Sequence, residues 1–79
     1  MVNAMDSYKP INCEIHDDFE LACMRHTTHQ VVWRDPQGHI HKEKLRFIDL
    51  QVGNAEEFLI AENHTGQRRR IRLDYILSF

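Results

Sequence analysis

A chain of 79 residues is a single domain, and one of this size buries only roughly 60% of the surface its unfolded form exposes. With 42% hydrophobic and 28% charged residues it reads as an ordinary soluble globular protein. It has no apolar run near the ~18–20 residues a membrane span needs. The net charge of −2 argues for no class of partner, but the charge is unevenly placed. Asp6, Glu14, Asp17, Asp18 and Glu20 face Lys9 alone in the first 23 residues, whereas Arg68, Arg69, Arg70 and Arg72 face Asp74 alone at the end.

Residues 1–7 lack periodicity and are expected to be a mobile tail without the features of a secretory signal. Residues 8–79 are expected to form the folded domain. Tyr8-Lys9-Pro10-Ile11 is an extended lead-in, because Pro10 disfavours helix at Lys9. A short acidic helix follows. Asp17-Asp18-Phe19-Glu20 has the form of a capping box, with an acidic cap and a Glu three positions on. At helical spacing Ile15, Phe19, Ala22 and Cys23 share an anchoring face, leaving Asp17, Glu20, Leu21 and Met24 outside. That outer face suits either solvent or a docking partner. The helix is expected to fray between Arg25 and Thr28, where β-branched residues begin.

The rest reads as strand. Residues 29–34, around Val31-Val32-Trp33, are rich in β-formers, and Asp35-Pro36-Gln37-Gly38 is a strong turn. Residues 40–50 alternate, then slip: Leu45 and Phe47 share one parity, Ile48 and Leu50 the other. A bulge near Phe47-Ile48 accounts for the slip. Val52-Gly53-Asn54-Ala55 and Asn63-His64-Thr65-Gly66 are turns on either side of an apolar strand over 57–62. At the end, Ile71, Leu73, Tyr75, Leu77 and Phe79 share one parity, with Arg68, Arg70 and Arg72 on the other. The expected fold is therefore mainly β: a helix, then about five strands, as in a small barrel or sandwich.

Few residues suggest chemistry. Cys13-x-x-His16 and Cys23-x-x-His26 have the spacing of zinc half-sites, but a helix through both separates the cysteines by ~15 Å. Two cysteines without a C-x-x-C also make no disulfide framework, so both thiols are expected to be reduced, in the cytosol. No nucleophile–base pattern or phosphate loop is present. No catalytic residue, metal, cofactor or small-molecule substrate is expected. Arg68, Arg70 and Arg72, with Tyr75 and Phe79 nearby, could face single-stranded RNA, or solvent.

Three strings add a resemblance: Tyr8-x-Pro10-Ile11-Asn12-Cys13, Phe19-Glu20-Leu21-Ala22-Cys23, and Leu73-Asp74-x-Ile76-x-Ser78-Phe79. Together they resemble the Rof (YaeO) family of bacterial inhibitors of the transcription terminator Rho, from about residue 8 to 79. The resemblance implies a Sm-like small barrel: an N-terminal helix on a strongly bent five-stranded antiparallel sheet. It also implies an antitermination function, in which the protein binds the N-terminal domain of Rho and competes with RNA for Rho's primary site. The contact residues it implies are Asp17 and Glu20, with Asp18 beside them, Glu14 keeping its acidic character, and Asn54 in the loop 51–56. Ile15 and Asp18 depart from the family form, which has Asp and Asn there, and the loop lacks the family's basic residues. A Sm-like RNA-binding protein acting through Arg68, Arg70 and Arg72 is the alternative.

Overall fold

The helix begins where a side chain can stand in for a missing backbone partner. In the computed structural model, which describes residues 8–79, α1 spans Cys13–Arg25. The expected tail lies outside the described residues. Asn12, not Asp17, is the cap: its Oδ1 accepts the Glu14 N–H at 2.7 Å, and the Asn12 carbonyl accepts from His16 N–H. Asp17 and Glu20 are interior helical residues, so the capping-box pattern was one of several that an acidic helix produces by chance. Nor does the far end fray. His26 takes a left-handed φ of 51° and donates to the Cys23 carbonyl, while Thr27 N–H reaches the Ala22 carbonyl, the two bonds of a Schellman stop. His26 Nδ1 also lies 3.0 Å from the Phe47 carbonyl, tying the helix end to the sheet.

Five antiparallel strands follow: β1 (Thr28–Arg34), β2 (Ile40–Gly53), β3 (Glu56–Glu62), β4 (Arg68–Arg72) and β5 (Ile76–Ser78). Their order across the sheet is β4-β3-β2-β1-β5. The Asp35 turn forms as expected, with Gly38 at φ 89° and the Asp35 carboxylate accepting from Gln37 and His39 N–H. The parity slip is a real bulge, the β2–β3 register jumping between Phe47 and Asp49. It lets Leu45 and Phe47 before the bulge and Leu50 after it all turn towards the core.

The expected four-residue turn at 52–55 is tighter. Val52 and Gly53 remain in β2, and Asn54 and Ala55 alone reverse the chain with φ of 52° and 63°, the two positive values of a hairpin turn matched to strand twist. At the next turn Asn63 is buried and its Oδ1 accepts from Thr65 N–H, Thr65 Oγ1 and Gln67 N–H. One amide organises that whole connection.

The sheet is strongly bent. β4 and β5 are its opposite edges, yet only the 3-10 turn Leu73–Tyr75 joins them. A flat sheet would separate its outer strands by four spacings, about 19 Å. Four Cα steps from Arg72 to Ile76 reach at most about 14 Å. The sheet must therefore curl, but its edges do not pair: it is a bent open sheet, not the closed form of the small barrel that the resemblance implies. Inside the curl, Phe19, Ala22 and Cys23 of α1 meet Val31, Leu45, Phe47, Leu59, Ala61 and Ile71.

The 3-10 turn also breaks the parity of the last stretch. Ile71, Leu73 and Tyr75 are buried, but Leu77 is 56% and Phe79 37% exposed. Arg72, placed by parity beside Arg68 and Arg70, is instead buried at 5%. Its guanidinium grips Asp74 with bonds of 2.6 and 2.7 Å and lies 3.6 Å from Glu56. Burial is the largest influence and would raise the Asp74 pKa, but the hydrogen bonds from Arg72 and the Lys9 N–H, with the Arg72 charge, together outweigh it and the carboxyl ends below its usual range. Ile15 departs as well: it is 45% exposed and does not anchor the helix.

Candidate functional site

The first two turns of α1 gather carboxylates that no described residue neutralises. Glu14, Asp17 and Asp18 are exposed and have no ion-pair partner among the described residues. Glu14 sits in the first turn, where the positive end of the helix dipole favours it. Glu20 is also exposed and lies 3.4 Å from His16 Nδ1, one turn back. Leu21 and Met24 extend the outer face, exposed at 43% and 78%, as the helical spacing predicts.

His16 joins this helix to the sheet. Its Nε2 lies 2.9 Å from Glu57 Oε2, and the Tyr8 hydroxyl donates to the same carboxylate at 3.4 Å. Burial, then the negative charge of Glu57 and Asp74, push the Tyr8 pKa up to about 12, so the phenol stays a donor. Glu57 pairs with Val52 at the base of the β2–β3 hairpin, whose tip is Asn54. The helix and the hairpin stem are thus fixed together, which brings the acidic helix and Asn54 onto two connected elements. Sequence reasoning missed Glu57 and saw in His16 only half of a zinc spacing. The one available signal was the Glu56-Glu57 pair directly after the hairpin turn.

The helix also holds the two cysteines. It runs unbroken through Cys13 and Cys23, which keeps the Cys–His half-sites nearly three turns apart. Cys23 is buried, and burial together with nearby Asp49 and Glu20 pushes its thiol up to about 11, far from the thiolate a metal requires. His16, Asp17 and Glu20 do bring ligand atoms within 4.8 Å of one another, but as an exposed group on the helix surface.

The arginine strand is arranged in the opposite way. Arg68 bonds Glu62 at 3.0 Å, Arg69 bonds Glu43 at 2.9 Å, and Arg72 is buried against Asp74. Arg70 has no carboxylate partner among the described residues; its guanidinium lies over the Phe58 ring at 3.6 Å. Of the three guanidiniums named for RNA, one is inside the protein and one is already paired.

Fold and surface together define a small, mainly β protein whose helix α1 presents exposed negative charge, the form of an interaction module. Among the described residues, no helix is long and apolar enough to cross a membrane. The chain matches, over residues 10–79, the family described as Modulator of Rho-dependent transcription termination (ROF), and it belongs to that family. It is 36% identical over 74 residues to Protein rof of Escherichia coli (strain K12), an alignment covering 94% of this chain and 82% of that protein. The same figures hold for Protein rof of Shigella flexneri. The family is a regulatory one, named for modulating termination.

Proposed function

We infer that this protein inhibits Rho-dependent termination by setting the carboxylates of α1 against the cationic RNA site of the Rho N-terminal domain, so that transcripts cannot enter. The observation that carries this reading is the availability of charge: Glu14, Asp17 and Asp18 have no ion-pair partner among the described residues, while Glu20 projects beside them. An RNA site is lined by Lys and Arg, and carboxylates held on a rigid helix offer those cations what phosphates would. Asn54, on the hairpin braced to the helix through Glu57 and His16, adds an uncharged contact at the edge of the same surface. The cytosol is the corresponding compartment.

Calorimetric titration into purified Rho, with and without a Rho-binding RNA, tests this. Binding that weakens with salt and is excluded by the RNA supports the reading. Binding that tolerates saturating RNA would end it. The alternative, direct RNA binding through Arg68, Arg70 and Arg72, has less support because those cations are largely occupied within the fold.

A further inference from the structure

A concavity lies beside the acidic surface and is continuous with it. A groove of about 720 Å³ runs between α1 and β5, within the range of built binding sites. Among the described residues, four of the seven exposed large hydrophobics, Ile15, Leu21, Leu77 and Phe79, line it. Scattered apolar residues need no explanation, but convergence on one groove does.

The groove follows a strand edge. Successive side chains of a strand point to opposite faces, yet Ile76, Leu77, Ser78 and Phe79 all line it. A surface that meets four consecutive residues runs along the strand's side. Among the described residues β5 is the last strand of the sheet and pairs only with β1. On the far wall the helix offers Ile15, Phe19 and Ala22. An edge strand facing a helix across an apolar gap is the arrangement that accepts an added strand: main-chain hydrogen bonds on one side, side-chain pockets on the other.

The charges indicate what enters. Asp18 and Asp74 line the groove against Lys9 and Arg25. Asp74 is engaged by Arg72 and by the Lys9 N–H, which leaves Asp18 as the open carboxylate, next to Asp17 and one turn from Glu14. The groove therefore opens onto the acidic face, and one ligand can meet both.

The geometry points to a second, apolar half of the Rho interface: an extended segment of Rho adds to the edge of β5, seats aliphatic side chains on Ile15 and Leu77, and places an adjacent Lys or Arg at Asp18. This rests on the reading of Rho as the partner of the acidic helix, and it adds a salt-resistant component that carboxylates alone cannot supply.

The test uses the full chain and intact Rho. Ile15→Ala combined with Leu77→Ala is expected to weaken binding roughly tenfold at low and at high salt alike. Both side chains are about half exposed, so the circular dichroism spectrum and unfolding midpoint should not move. Amide hydrogen exchange should show new protection at residues 76–78 when Rho is bound. Rho binding with unchanged affinity for the double variant, or with no protection in β5, would overturn the groove and leave the acidic-helix reading standing. Absence of any binding to Rho would overturn both. Protection of β5 without Rho that rises with protein concentration would give the groove to a second copy of this chain and overturn the proposal.

Discussion

The chain carries two concentrations of charge, one in α1 and one in β4, and the fold treats them oppositely. In β4 the guanidiniums turn inward or sideways: Arg72 to Asp74, Arg69 to Glu43, Arg68 to Glu62. In α1 the carboxylates of Glu14, Asp17 and Asp18 are left to solvent. A count of charges along the sequence ranks the arginine strand as the stronger electrostatic signal. Counting only the charges still available after folding reverses that ranking. Recognition depends on the second count.

The sharpest way to break this comparison is at its buried end. Asp74→Ala takes from the Arg72 guanidinium, which is only 5% exposed, its two shortest hydrogen bonds and leaves it the longer contact with Glu56, so the expected loss is near the lower end of the about 3–5 kcal/mol that breaking a buried pair costs. A urea melt should show a much lower midpoint. The pH dependence has the same origin. The folded Asp74 pKa is depressed, so the stability it contributes is present above its unfolded value near 3.9 and is lost as pH falls through the lower folded value. Stability of the wild type should therefore drop on acidification below about pH 4, and an Asp74→Asn variant should show a shallower drop.

At the exposed end, Asp17→Lys with Glu20→Lys should lower Rho affinity by about a hundredfold at low salt, with little change in the unfolding midpoint. Equal affinity with an intact fold would remove the helix from the interface. Asn12→Ala tests the cap on which the helix is built: a loss of about 1 kcal/mol, read from denaturant unfolding, is expected. The smallest effect belongs to Arg68→Ala with Arg70→Ala. Exposed pairs are worth about 0–1 kcal/mol, so stability should barely change, and Rho affinity should stay within about twofold. A large loss of activity there would turn the comparison around and favour RNA contact by β4.

Much of the fold was legible because strands and turns declare themselves locally. The slip between Phe47 and Ile48 announced the bulge, and Asp35-Pro36-Gln37-Gly38 and Asn63-His64-Thr65-Gly66 announced their turns. Parity failed only where regular geometry stopped. A 3-10 turn after Arg72 reset the faces, exposing Leu77 and Phe79 and hiding Arg72. The helix cap was misplaced because Asp17 and Glu20 fit a degenerate pattern, while the true signal, Asn12 just after Pro10-Ile11, was shorter. The acidic face could be read from helical spacing, and Leu21 and Met24 are outside as expected. The His16–Glu57 brace could not, since it joins residues 41 positions apart that only the curl of the sheet brings together. The groove beside β5 was hidden for the same reason.

The arginines of β4 acquire a different meaning from their position at the rim of the open sheet. An unpaired strand is a template on which another molecule's strand can grow, and repeated pairing of that kind ends in fibres. Arg70 stands exposed on this strand without a carboxylate partner among the described residues, and two copies approaching edge to edge would bring this charge against its like. The basic tract can thus serve as a guard against polymerisation, a task that needs neither nucleic acid nor any other ligand and that would be relaxed in concentrated salt.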